Sequence, residues 1–119
     1  METYKPSLGI SVEDIDTPAL IVDLDRLEHN YKLMADTYKD SSVKLRAHMK
    51  NVKSPVLAKK QIETGGTVGG VCCAKVAEAE VMVAGGIEDI LIPNEIVTTD
   101  KINRLCSLAK KAKITVCVD

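Results

Sequence analysis

The 119-residue chain has no tryptophan and no phenylalanine, and its three tyrosines bring aromatics to only 3%. So few rings leave no stacking platform of the kind that single-stranded nucleic acid requires. Neither sign of charge is in excess: 16 Lys and Arg stand against 17 Asp and Glu, a formal net charge of −1. Bulk electrostatics therefore give no case for nucleic acid or an anionic membrane as partner. No apolar run approaches the roughly 18 residues of a membrane-spanning helix. The opening Met1-Glu2-Thr3-Tyr4-Lys5-Pro6 lacks the apolar core of a secretory signal. Four cysteines, Cys72, Cys73, Cys106 and Cys117, make no C-x-x-C. They read as reduced core residues of a cytoplasmic protein, at a spacing that does not suit zinc.

What is present is the composition of a soluble globular domain, 45% apolar and 28% charged. Residues 1–15 read as an irregular lead-in, and Asp16-Thr17-Pro18 as a turn. Ala19-Leu20-Ile21-Val22 is expected to form a short strand. Asp25, with Glu28 three residues on, resembles a capping box. Leu27, Tyr31, Met34, Ala35 and Tyr38 then recur at helical spacing, which predicts a helix to about Lys39. Val43, Leu45 and Ala47 alternate with Lys44, Arg46 and His48, as in a strand. Ser54-Pro55 opens a helix that Gly65-Gly66 ends.

A strand is expected over Val68–Cys73, a helix from about Lys75 to Gly85-Gly86, and a strand over Asp89–Ile92. A further helix begins near Thr98 or Thr99, with Ile102, Leu105, Cys106, Ala109 and Ala112 as its buried stripe. Lys110, Lys111 and Lys113 near its end suit the helix dipole. Ile114–Val118 is the last strand. Strands and helices thus alternate, and the apolar strands suit a parallel sheet buried on both faces. A doubly wound, flavodoxin-like sheet and part of a (β/α)₈ barrel both fit. A full barrel needs about 250 residues. Since the last expected strand has no helix to cover it, the expected fold is α/β, the N-terminal part of a (β/α)₈ TIM barrel truncated after about four βα units, with a free-standing flavodoxin-like domain as the alternative.

The basic segment Leu45-Arg46-Ala47-His48-Met49-Lys50-Asn51-Val52-Lys53-Ser54-Pro55 runs from the first regular strand into a helix start. A lysine at the carboxyl end of a strand is where an α/β enzyme can hold a Schiff base. If the strand stays extended, Arg46, His48 and Lys50 share a face. Cations crowded there disfavour a further positive charge and expose a free amine on Lys50. A solvated basic edge is the alternative, and Lys53 is a rival nucleophile. Glu78 and Glu80 cannot share a helix face and read as solvated or helix-supporting charges. Gly65-Gly66 and Gly69-Gly70 are no dinucleotide fingerprint; the second pair falls in a strand that needs close packing.

Asp16-Thr17-Pro18-Ala19-Leu20-Ile21-Val22-Asp23-Leu24-Asp25 resembles the D-T-P-x-L-x-x-D-x-D opening of the D-threonine aldolase and eukaryotic-type D-serine dehydratase family. The segment from Leu45 to Ser54 is similar to that family's R-P-H-x-K-T-H-K. Gly70-Val71-Cys72-Cys73-Ala74 through Glu78-Ala79-Glu80 resembles its G-x-C-C-A-x-x-x-E-A-E. Gly85 to Asn94 resembles A-G-I-x-D-I-L-I-x-N. The likeness runs from Asp16 to Asp119, with Ala47, Asn51 and Val52 in place of the family's proline, threonine and second histidine.

The resemblance implies an alanine-racemase-like barrel over residues 16–119 and the cofactor pyridoxal 5'-phosphate, with Lys50 as the catalytic, cofactor-bearing lysine. His48 and Arg46 are then cofactor-binding candidates, and Asn94 could face the pocket. The implied reaction of the full-length protein is that of a PLP-dependent lyase. It cleaves D-configured β-hydroxy amino acids, D-threonine aldolase-like, into glycine or a related amino acid and an aldehyde. The alternatives are a D-serine dehydratase or amino acid racemase on the same scaffold, or a non-catalytic PLP-binding protein. A divalent metal cation with ligands outside this chain is also implied, as is a homodimer.

Overall fold

The computed structural model describes residues 5–119; residues 1–4, the start of the expected lead-in, lie outside the described residues. After a 3-10 turn at Val12–Asp14 come helix α1 (Leu24–Tyr38), strand β1 (Leu45–His48), α2 (Pro55–Thr64) and β2 (Thr67–Cys72). Then follow α3 (Val76–Ala84), β3 (Asp89–Ile92), α4 (Thr99–Leu108) and β4 (Lys113–Val116). Local signals explain most of these limits. The Ser54 hydroxyl accepts the Leu57 N–H at 3.4 Å with Pro55 at the first helical position, and Gly65 closes α2 with φ 106°. The α1 stripe is as the periodicity predicts: Tyr31 and Ala35 are buried, while Leu27, Met34 and Tyr38 are half-buried.

The four strands form one parallel sheet in the order β1-β2-β3-β4. This order decides between the two architectures. A doubly wound sheet reverses its strand order and carries helices on both faces. Right-handed crossovers taken always in one direction put every helix on the same face. Burial agrees. Ala47, Met49, Val71, Cys73, Ile90 and Ile92 face Ala58, Val76, Ala79, Met82, Leu105 and Leu108 in one core. The alternate residues look out from an open face. The sheet is an arc of a (β/α)₈ barrel, its inner side uncovered.

Four expectations need correction. Ala19–Val22 forms no strand, since among the described residues no strand pairs with it; Leu20 is 103% exposed. The cap of α1 is Asp23, whose carboxylate accepts the Arg26 N–H at 3.0 Å. Asp25 lies inside the helix, and Glu28 reaches Lys60 of α2 at 2.7 Å instead of folding back. On α4 the buried residues are Leu105 and Leu108, while Ile102, Cys106 and Ala109 are exposed. Arg104, bonded to Glu80 of α3 at 2.5 and 2.7 Å, fixes the rotation of that helix. Lys113 belongs to β4 rather than to the end of α4.

The cysteines divide as well. Cys73 is buried and Cys72 half-buried, but Cys106 and Cys117 are exposed. Burial pushes the Cys73 thiol up to about 12, which makes it an apolar filler at neutral pH.

Met82 is 1% exposed and sits at the centre of the core. Met82→Ala is expected to lower unfolding stability by about 3 kcal/mol, read from urea denaturation. A loss below about 1 kcal/mol would contradict this packing.

Candidate functional site

The open face is built in layers, because residues in register on parallel strands point the same way. The pairing His48↔Cys72, Cys72↔Leu91 and Leu91↔Thr115 sets one layer. One step towards the strands' amino ends lie Arg46, Gly70, Asp89 and Lys113. Beyond the strands' carboxyl ends come the turn that carries Lys50, and Ala74 and Cys117.

The deepest of these layers is an ion-pair network. Arg46 on β1 reaches over β2 to Asp89 on β3, with Nη1–Oδ1 at 2.8 Å and Nη2–Oδ2 at 3.2 Å, and Lys113 Nζ approaches the same carboxylate at 3.4 Å. Both members of the central pair are 23% exposed at the side chain. The crossing exists because Gly70 has no side chain. A Cβ there would lie 2.6 Å from Arg46 Nη1 and 2.6 Å from the Asp89 carbonyl oxygen. The register of β2 serves the same end. Leu45 pairs with Thr67 but Ala47 with Val71, so two extra residues bulge out, with Gly69 at φ 78°. The Arg46 guanidinium beside Asp89 holds its carboxyl below the usual aspartate range, and Lys113 adds to this against the opposing effect of burial.

Lys50 follows β1 by two residues and is exposed. The strand ends at His48, so Lys50 stands in a turn rather than on extended backbone. Its neighbour Met49 is locked to β2 by an N–H bond to the Cys72 carbonyl at 2.8 Å, and the Lys53 N–H closes the turn on the Met49 carbonyl at 2.9 Å. His48 Nδ1 accepts the Lys50 backbone N–H at 3.2 Å. That bond assigns the imidazole proton to Nε2 in the neutral ring.

The structure therefore brings His48 and Lys50 together at the carboxyl end of β1 and places Arg46 below them. Arg46 faces Asp89, so the like-charge crowding expected on this face is largely offset. Lys53 is no free rival amine, and of the two readings of Glu78 the helix-supporting one holds, in the first turn of α3. Lys53 Nζ is held by Glu78 Oε1, and Glu78 Oε2 accepts the Ala74 N–H at 2.8 Å. Lys53 thus enters an ion pair with a carboxylate whose side chain is only 10% exposed, and Glu78 is no solvated charge. Glu80 is likewise committed, to Arg104. Asn94 donates from Nδ2 to the Ala74 carbonyl at 2.9 Å, which ties the loops after β2 and β3.

A family described as "Alanine racemase, N-terminal domain" matches residues 22–119. The chain belongs to the alanine racemase N-terminal domain family. It is 47% identical over 112 residues to 3-hydroxy-D-aspartate aldolase of Paracoccus denitrificans, covering 93% of this chain and 29% of that protein. It is 45% identical over 111 residues to D-threonine aldolase of an Arthrobacter species, with the same coverage of 93% and 29%. The crystal structure of D-threonine aldolase from Filomicrobium marinum superposes with a TM-score of 0.89 at 51% identity, over 96% of this chain and 30% of that one. The chain therefore spans under a third of the length of the relatives it matches.

Within this alanine racemase N-terminal domain, the close packing expected at Gly69-Gly70 is found at Gly70, while Asp89 and the crossing over that glycine escape a local reading. A trace of both is present. Asp89 is the acid opening an otherwise apolar strand, and Gly70 is a glycine at the matching depth of the strand between it and Arg46.

The depressed Asp89 pKa fixes a sign. Its contribution to stability is complete above the ordinary aspartate value of 3.8 and is lost as pH falls below it. Asp89→Asn is expected to flatten the acid limb of a stability–pH curve while removing the pairing with Arg46. An acid limb unchanged by this substitution would contradict the network. Gly70→Ala should destabilise the fold by about 2 kcal/mol, because the Asp89 backbone cannot give way; thermal denaturation reads it.

Proposed function

We propose that the whole protein is a pyridoxal 5'-phosphate-dependent lyase acting on D-configured β-hydroxy amino acids, with Lys50 as the lysine that bears the cofactor. The observation that carries this reading is the position of Lys50. It is an exposed amine two residues beyond the carboxyl end of β1, in a turn anchored to β2 through Met49. Barrel enzymes place their chemistry at this carboxyl end.

The residues present fit the cofactor. Lys50 offers a primary amine for covalent attachment. His48, whose Nδ1 is occupied by the Lys50 backbone, keeps an Nε2–H to donate. Arg46 and Asp89, meeting across Gly70, make a charged floor on the open face below the carboxyl end of β1. When bound, the cofactor supplies an electron sink for the charge that develops on the substrate's α-carbon. The protein's part is to hold that carbon in place, and to provide a group that takes the β-hydroxyl proton as the Cα–Cβ bond breaks.

Retro-aldol cleavage, yielding glycine or a related amino acid and an aldehyde, is the preferred reaction. The two aldolase relatives match 93% of the chain at 45–47% identity. D-threo-3-hydroxyaspartate dehydratase of a Delftia species matches 65% at 38%, which makes dehydration the second reading. A divalent cation beside the substrate hydroxyl, acting as Lewis acid, completes the proposal, with ligands outside this chain. A cytoplasmic homodimer is the proposed form of the protein. No helix among the described residues is long and apolar enough to cross a membrane.

Loading with pyridoxal phosphate and recording the visible band of the lysine-bound cofactor tests the assignment. Lys50→Ala is expected to abolish the band; persistence of the band in that variant would reject it. Aldehyde release from D-threonine or 3-hydroxy-D-aspartate separates cleavage from dehydration, which yields a keto acid instead. The 119 residues by themselves are expected to release no aldehyde.

A further inference from the structure

Beyond β1 the chain makes a tight turn from Met49 to Lys53, and Lys50 is its second residue. Both ends of the turn are fixed. Met49 is 1% exposed and bonded through its N–H to Cys72 of β2, and the Lys53 N–H returns to the Met49 carbonyl. Lys53 itself has φ 49°, the sole non-glycine residue at positive φ among those described. A long side chain in the left-handed region is strained and persists when its surroundings hold it there.

The hold is visible. Lys53 Nζ binds Glu78 Oε1, while the other oxygen of Glu78 accepts the Ala74 N–H. The Ala74 carbonyl accepts Asn94 Nδ2 at 2.9 Å. One chain of contacts thus joins the loops following β1, β2 and β3. The Lys53 ammonium holds the Glu78 carboxyl below the usual glutamate range, helped by the backbone N–H groups of Ala74 and Lys75 and opposed by burial.

We infer that Lys53 and Glu78 are positioning residues for Lys50: their ion pair fastens the far end of the Met49–Lys53 turn to α3 and removes Lys53 as a competing amine. The inference rests on the reading of Lys50 as the cofactor lysine. It explains why two lysines three residues apart take different roles. Both side chains are exposed, Lys53 at 60%, but the Lys53 amine is bound to a carboxylate that is itself 10% exposed.

The test uses the whole protein treated with pyridoxal phosphate, reduced with borohydride and mapped by peptide mass spectrometry, alongside retention of the visible band on dialysis. In the unaltered protein the label is expected on Lys50. In Glu78→Gln it should divide between Lys50 and Lys53, with retention weaker by about tenfold, as for a displaced reacting group. Lys53→Gly relieves the backbone and deletes the pair; it should lose retention similarly without a lower melting temperature. Lys53→Arg keeps the pair and should retain the cofactor as the unaltered protein does.

If Glu78→Gln and Lys53→Gly both keep normal retention, with the label on Lys50 alone, the positioning role is overturned while Lys50 keeps its assignment. Label on Lys53 rather than Lys50 in the unaltered protein overturns both. Should Glu78→Gln fail to fold, Lys53→Gly and Lys53→Arg decide the question between them.

Discussion

Arg46 reaches Asp89 across a strand that carries no side chain at that depth, and the open face of the sheet is organised around this contact. A guanidinium and a carboxylate two strands apart cannot meet over an alanine, let alone a larger residue. The bulge at Val68-Gly69 sets β2 so that its glycine falls beneath the crossing. Pairs of this kind add little net stability, since the cost of desolvation offsets most of the Coulombic gain. What the contact supplies is register. With β1 and β3 fixed relative to each other, the carboxyl end of β1 has one position, and His48 and Lys50 inherit it.

The same logic recurs at the mouth of the arc. There the ties are Lys53 to Glu78, Glu78 to Ala74, and Asn94 to Ala74. The first and last run between segments that follow different strands, and the middle one joins them through the start of α3. The apolar core on the helical face holds the sheet together, but it says nothing about where loop residues sit. Polar ties at both depths, floor and rim, supply that precision. The division of labour is physical: burial is strong and non-directional, while hydrogen-bonded ion pairs are weak and directional.

Much of the architecture was legible because it is written locally. Ser54-Pro55 and Gly65 mark the limits of α2, and the alternation through Ala47 marks β1. The motifs around Lys50, Cys72 and Asn94 pointed to the family. The failures were also specific. Asp23 and Asp25 are equally good caps by type, and the choice fell to the residue whose backbone is still extended; Glu28 was drawn off to Lys60. The stripe of α4 was misphased because Arg104 answers to Glu80 on a neighbouring helix. Ala19–Val22 has strand composition, yet composition without a partner strand makes no ladder.

The sequence by itself determined the rhythm of elements, the family, and the lysine at the end of a strand. These depend on neighbours within a turn or two, or on motifs that are contiguous. The tertiary structure alone decided that Arg46 meets Asp89, 43 residues away, and that Lys53 meets Glu78, 25 residues away. Periodicity records which face a residue occupies but carries no information about what lies across it. A charged side chain therefore takes its role only when strand order and register bring a partner within reach.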